Sequence, residues 1–94
     1  MVYSIRFSEE KNQLLQATRN ICFDDVVLAI KSGKLLADKE HPSQKFKHQR
    51  MYIVRLGDYV YAVPYVINEH KKEIFLKTIY PSRVLTKKYL KGGK

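Results

Sequence analysis

Met51-Tyr52-Ile53-Val54-Arg55-Leu56-Gly57-Asp58-Tyr59-Val60-Tyr61-Ala62-Val63-Pro64-Tyr65-Val66 is the stretch on which the fold turns. Two apolar runs, Met51–Leu56 and Tyr59–Val66, flank Gly57-Asp58, a glycine-first dipeptide of the type II′ hairpin class. The spacing predicts an antiparallel strand pair. Pro64 has no N–H to give to a ladder, so it predicts an edge or a bulge within the second strand.

Downstream, Asn68–Lys72 is a polar turn, and Glu73–Tyr80 reads as a strand close enough in sequence to pair with Tyr59–Val66 as a meander. Pro81 and Ser82 then introduce a short helix over Val84–Leu90. Upstream, Asp38–Gln49 is polar and contains His41-Pro42, where the proline disfavours a helical histidine, so a loop is expected. Leu35–Ala37 before it reads as a short strand.

The first third of the chain has a different rhythm. Tyr3, Ile5 and Phe7 alternate with Ser4 and Arg6, a period of two that predicts a half-buried strand over Val2–Phe7. Ser8 is placed to cap a helix that has Glu9 and Glu10 at its positive end and carries Leu14, Leu15 and Thr18. Asn20-Ile21-Cys22 breaks that helix. Asp24 or Asp25 then caps a second helix, in which Val26, Val27 and Ile30 share a face, Phe23 staples onto Leu28 and Gly33 sits just beyond the end. The order β-α-α-(β)-β-β-β-α predicts an α+β fold, an N-terminal strand and two helices packed on a mainly antiparallel sheet with a short C-terminal helix. At 94 residues with 45% hydrophobic content, the chain is expected to form a single domain over 1–94.

The net charge is +9, and it is unevenly spread. Residues 1–30 hold three Lys/Arg against four Asp/Glu, whereas residues 31–94 hold fifteen against five. From Lys77 onward there are six Lys/Arg and no acid. A concentrated positive field of this kind suits a polyanion. Cys22 is the single cysteine, so no internal disulfide forms, and its neighbours Ile21 and Phe23 make it a small buried side chain. The first residues carry no signal-peptide apolar region, and no window approaches the roughly 18 apolar residues of a membrane span. A cytoplasmic protein with no membrane partner is expected.

Several chemistries find no support. His41, His48 and His70 lack the close spacing of structural zinc ligands, no glycine-rich phosphate loop exists, and acidic residues are too scattered for paired-carboxylate catalysis. No metal and no small-molecule cofactor are expected. Cys22, in apolar surroundings, is a poor candidate nucleophile.

What remains is basic and aromatic. Lys77, Arg83, Lys87 and Lys88 occupy the last strand and tail, and His41, His48, Arg50 and Arg55 occupy the loop and the first hairpin strand. Tyr52, Tyr59, Tyr61, Tyr65, Tyr80 and Tyr89 are interleaved with them. Arginine holds phosphate bidentately, lysine acts as a point charge and tyrosine stacks on bases, a combination suited to RNA. Strands also favour tyrosine for packing, and lysines suit a solvated helix end. Arg83, following a Pro-Ser turn at a strand end, is held by the scaffold under either reading.

Ile5-Arg6-Phe7 with Glu10-Lys11-Asn12, then Ile21-Cys22-Phe23-Asp24-Asp25-Val26-Val27, and finally Ser82-Arg83-Val84-Leu85-Thr86-Lys87-Lys88-Tyr89 resemble, in order and spacing, the BrnT toxins of bacterial toxin–antitoxin pairs. The likeness runs along nearly the whole chain. It departs from the family at Thr18-Arg19-Asn20, where Lys-His-Gly is usual, and in the strand Tyr59–Val66. The resemblance implies a RelE-like ribonuclease fold, metal-independent cleavage of RNA and neutralisation by a cognate antitoxin. Carried across by position, Lys11 and Asn12 match a Lys-Asn element, and Arg83 and Thr86 match an Arg-x-x-Thr element. On that basis Arg83, Tyr89 and His48 are the candidate catalytic residues, and Lys11, Arg50, Lys77, Thr86, Lys87 and Lys88 the candidate nucleic-acid contacts. A non-catalytic nucleic-acid-binding module and a domain that binds an acidic protein are the alternatives.

Overall fold

The computed structural model describes residues 3–42, 45 and 49–91. It has the expected α+β layout. The strands are β1 (Ser4–Phe7), β2 (Leu35–Glu40), β3 (Arg50–Leu56), β4 (Tyr59–Asn68), β5 (Glu73–Leu76) and β6 (Tyr80–Pro81). The helices are α1 (Glu9–Arg19), α2 (Phe23–Lys31) and α3 (Arg83–Thr86), the last running into a π-helical turn over Lys87–Lys91. They build one sheet in the order β1-β5-β4-β3-β2, with β6 beside β4. Among the described residues, only β1 runs parallel to its neighbour β5; the other pairs are antiparallel.

The hairpin β3–β4 pairs Leu56 with Tyr59 and Arg50 with Tyr65, and Gly57 takes the positive φ of +64° that a glycine-first turn requires. Pro64 interrupts the sheet, though in the strand facing it. Its carbonyl accepts from the Lys77 amide at 2.8 Å, but it has no N–H to return to Lys77. The expected strand Glu73–Tyr80 therefore divides here. β5 stops at Leu76, three residues intervene, and β6 resumes with a register one residue further on, Ala62 opposite Tyr80 after Tyr65 opposite Leu76. Because the Pro64 carbonyl faces Lys77, its pairing with Met51 falls where antiparallel strands exchange no hydrogen bond, and β3–β4 is undisturbed.

Ser8 caps α1, its Oγ accepting from the Lys11 amide at 3.2 Å, and Asn20 ends it in the left-handed conformation at φ 55°. The expected capping of α2 is corrected. Cys22, not Asp24 or Asp25, is the boundary residue and offers no side-chain cap; instead Asn12 Oδ1, on α1, accepts the Phe23 amide at 2.7 Å. Phe23 is consequently the first helical residue, fully buried, and Leu28 is exposed, so the staple is absent. Gly33 does sit just beyond the end. With φ +82° it lets Lys34 N donate to Ala29 O at 2.8 Å and its own amide reach Ile30 O at 3.5 Å, the double closure of a Schellman motif. The expected loop after Ala37 is also corrected, since β2 continues through Asp38, Lys39 and Glu40 paired to β3. Those residues are polar because β2 is an edge, where charge deters pairing with another chain.

The core has two parts. Leu15, Phe23, Val26, Val54, Val63, Tyr65, Leu76 and Ile79 fill the layer between the helices α1 and α2 and one sheet face. Within it Tyr52 and Tyr65 stack at 4.0 Å and Phe7 and Phe23 at 5.0 Å, geometry that adds about 0.5–1.5 kcal/mol per pair beyond burial. On the other face, Ile53, Val60 and Ala62 are covered by Leu85, Tyr89 and Leu90 of the C-terminal segment. The helices thus lie on both faces, two on one side and the tail on the other. Among the described residues, no helix is long and apolar enough to cross a membrane.

Candidate functional site

Strand periodicity sorts the charges once the registers are known. Ile53 and Ala62 are partners on the tail side, so every second residue from them, and each cross-strand partner, shares that face. The set includes Arg6, Lys39, Arg55, Phe75 and Tyr80, with Glu73 the one acid at a strand position among the described residues. Lys77 belongs with them, since its Nζ lies 5.4 Å from the centroid of the Phe75 ring. The acids of β2 fall on the opposite face, Asp38 opposite Tyr52 and Glu40 opposite Arg50. The acids of the first third stand in the first turns of the helices, Glu9 and Glu10 on α1 and Asp24 and Asp25 on α2.

The tail adds to the cationic face. With Leu85, Tyr89 and Leu90 turned inward, Arg83, Lys87 and Lys88 are exposed. Arg83 is the best placed of these. Its backbone is held on both sides by β4: the Ser82 amide donates to Val60 O at 3.0 Å, and Val60 N donates to Thr86 Oγ1 at 2.9 Å. Ser82 Oγ caps the helix, accepting from Leu85 N at 3.1 Å. Arg83 itself makes no ion pair among the described residues. A fixed backbone thus presents a guanidinium to solvent, where it is available to an anion.

Other expected residues fall elsewhere. Thr86 is 8% exposed, and its hydroxyl both receives Val60 N and donates to Ser82 O at 2.7 Å, so it fastens the tail to the sheet and offers RNA no contact. Asn12 is 3% exposed and committed to Phe23 and Asp24. Arg50 lies on the helical face of the sheet, its Nε 3.1 Å from Asp38 Oδ1 in an ion pair, away from the cationic face. Tyr65 OH donates to the same carboxylate oxygen at 2.6 Å. Burial first, and that hydrogen bond next, hold the Tyr65 phenol protonated well above its usual range. Tyr89 packs half-buried on the second core, with Lys88 Nζ 5.6 Å from its ring centroid. His48 lies outside the described residues. Lys11 and Lys77 come together, on α1 and just after β5, along a groove of about 600 Å³.

Cys22 is half-buried rather than buried. Burial pushes its thiol pKa up, and its Sγ lies 3.3 Å from Asp25 Oδ2, so it is held as a thiol and poorly suited to nucleophilic work. Among the described residues, no group of three His, Cys, Asp or Glu side chains could hold a metal ion.

Arg6, Lys39 and Phe75 are members of the cationic face that sequence reasoning passed over. The signal was present in the alternation of each strand, yet it becomes readable only when the registers fix which alternate set points which way. Comparison with known proteins returned no matching family model and no matching curated sequence.

Proposed function

We propose that this protein is a cytoplasmic, metal-independent endoribonuclease of the toxin type, related to BrnT and RelE toxins and held in check by a cognate antitoxin. The observation that carries the reading is Arg83, an exposed guanidinium on an anchored turn beside a cationic, aromatic sheet face. In such a reaction the RNA 2′-oxygen attacks the adjacent phosphorus, the bond to the 5′-oxygen breaks, and a 2′,3′-cyclic phosphate is left. The proton lost from the 2′-hydroxyl is matched by one gained at the departing 5′-oxygen. Arg83 stabilises the charge gathering on the phosphate, the kind of contribution worth about 10²–10³ in rate for one well-placed donor. Tyr89 and His48 serve the proton transfers, and Lys77, Lys87 and Lys88 hold the flanking backbone.

Induced expression tests the reading. Wild-type protein is expected to arrest growth with RNA fragmentation, and Arg83→Ala to relieve the arrest while accumulating as folded protein. Undiminished arrest by Arg83→Ala contradicts the role of Arg83. Folded wild-type protein that binds RNA without cleaving it points instead to a non-catalytic binding module.

A further inference from the structure

The groove between α1 and the end of β5 has a composition that a plain anion site does not explain. Lys11 enters it from the first turn of α1, placed there by the Ser8 cap, and Lys77 from the residue following β5. Glu10 stands on the same wall, so the two cations are partly offset and the groove's net charge is small. A phosphate clamp has no use for that carboxylate. The rest of the lining is apolar where apolar surface is unexpected: Leu14 is 56% exposed on α1, and the Phe75 ring is only partly buried on β5. Leu14 and Phe75 line one opening of about 600 Å³, within the roughly 300–1,000 Å³ typical of small-molecule sites.

We propose that this groove is a nucleobase subsite for single-stranded RNA, in which one base stacks on Phe75 against Leu14 while Lys11 and Lys77 hold the phosphates on either side. Lys77 Nζ lies over the Phe75 ring, 5.4 Å from its centroid, so an incoming base takes the ring face and shifts the ammonium onto the adjoining phosphate. Glu10 fixes the polarity of the site. It repels the backbone toward the lysines and turns the base edge inward, where its N–H groups find an acceptor. Phe75 also belongs to the cationic face that bears Arg83, so a strand lying along that face reaches the groove. The proposal rests on the reading of the chain as an RNA-binding protein.

The test compares binding of a labelled single-stranded RNA decamer with binding of inorganic polyphosphate, a polyanion without bases, to the purified full chain. Phe75→Leu keeps apolar bulk but removes the ring, and is expected to weaken RNA binding roughly tenfold while leaving polyphosphate binding unchanged. Phe75→Tyr keeps the ring and is expected to bind RNA as the wild type does. Lys11→Ala and Lys77→Ala are expected to weaken both ligands. Equal loss for RNA and polyphosphate in Phe75→Leu overturns the stacking subsite, as does RNA binding indifferent to that change in a variant whose thermal melting matches the wild type. In those cases the nuclease reading survives if Arg83→Ala still abolishes cleavage. A wild-type chain that binds no RNA at all removes both.

Discussion

Thr86 shows how much a single hydroxyl carries in this molecule. It receives the Val60 amide and donates to Ser82 O, joining the tail to the middle of β4 through a side chain that solvent scarcely reaches. Thr86→Val preserves the shape but strands a buried N–H, so it is expected to cost about 1–3 kcal/mol in urea denaturation. Thr86→Ser is expected to recover most of that. Equal stability of Thr86→Val and the wild type contradicts the bridge. Tyr65 makes a second prediction, through pH. Its folded pKa is raised above the ordinary value near 10, chiefly by burial, so its contribution to stability is complete below about pH 10 and is lost as pH rises toward the folded value. Unfolding measured from pH 8 upward is expected to show wild-type stability falling above about pH 10, and Tyr65→Phe falling less steeply. Parallel curves contradict the assignment.

At the scale of elements, much was legible because local chemistry decides it. Ser8, Asn20, Gly33 and Gly57-Asp58 each stand where backbone donors, carbonyls or a positive φ demand those residue types. Gly33 gives the sharpest check. A Cβ there meets nothing within 4 Å, so the cost of Gly33→Ala is one of backbone conformation alone, about 1–2 kcal/mol, read as a lowered denaturation midpoint. An unchanged midpoint contradicts the left-handed cap. What sequence could not supply came from partners distant in the chain. The cap of α2 is contributed by Asn12, eleven residues before the amide it receives, so Asp24 and Asp25 looked the better candidates. Pro64 was recognisable as a disruption, yet its effect lands on Lys77 across the sheet, because the missing N–H points away from β3. Asp38–Glu40 read as loop because an edge strand has no buried face to impose alternation.

For the whole molecule, the two sheet faces differ in charge. Total charge was legible at once, and so was its concentration after Lys77. Its division between faces was not, since Arg6, Lys39, Arg55 and Lys77 come from four separate stretches that only the registers align. The same alignment removes Arg50 from the group by placing it with Asp38. Arg83 stood out in the sequence because Pro81-Ser82 precedes it, and the anchoring by Ser82 and Thr86 supplies the physical reason. We propose that this anchored arginine acts on RNA bound along the cationic face. It is tested most directly by incubating purified wild-type and Arg83→Ala proteins with single-stranded RNA in a metal chelator and following the fragments formed. Wild-type cleavage is expected to end in 2′,3′-cyclic phosphates, with a rate about 10²–10³ lower for Arg83→Ala. Cleavage by Arg83→Ala at the wild-type rate, or none by a folded wild-type protein, contradicts it.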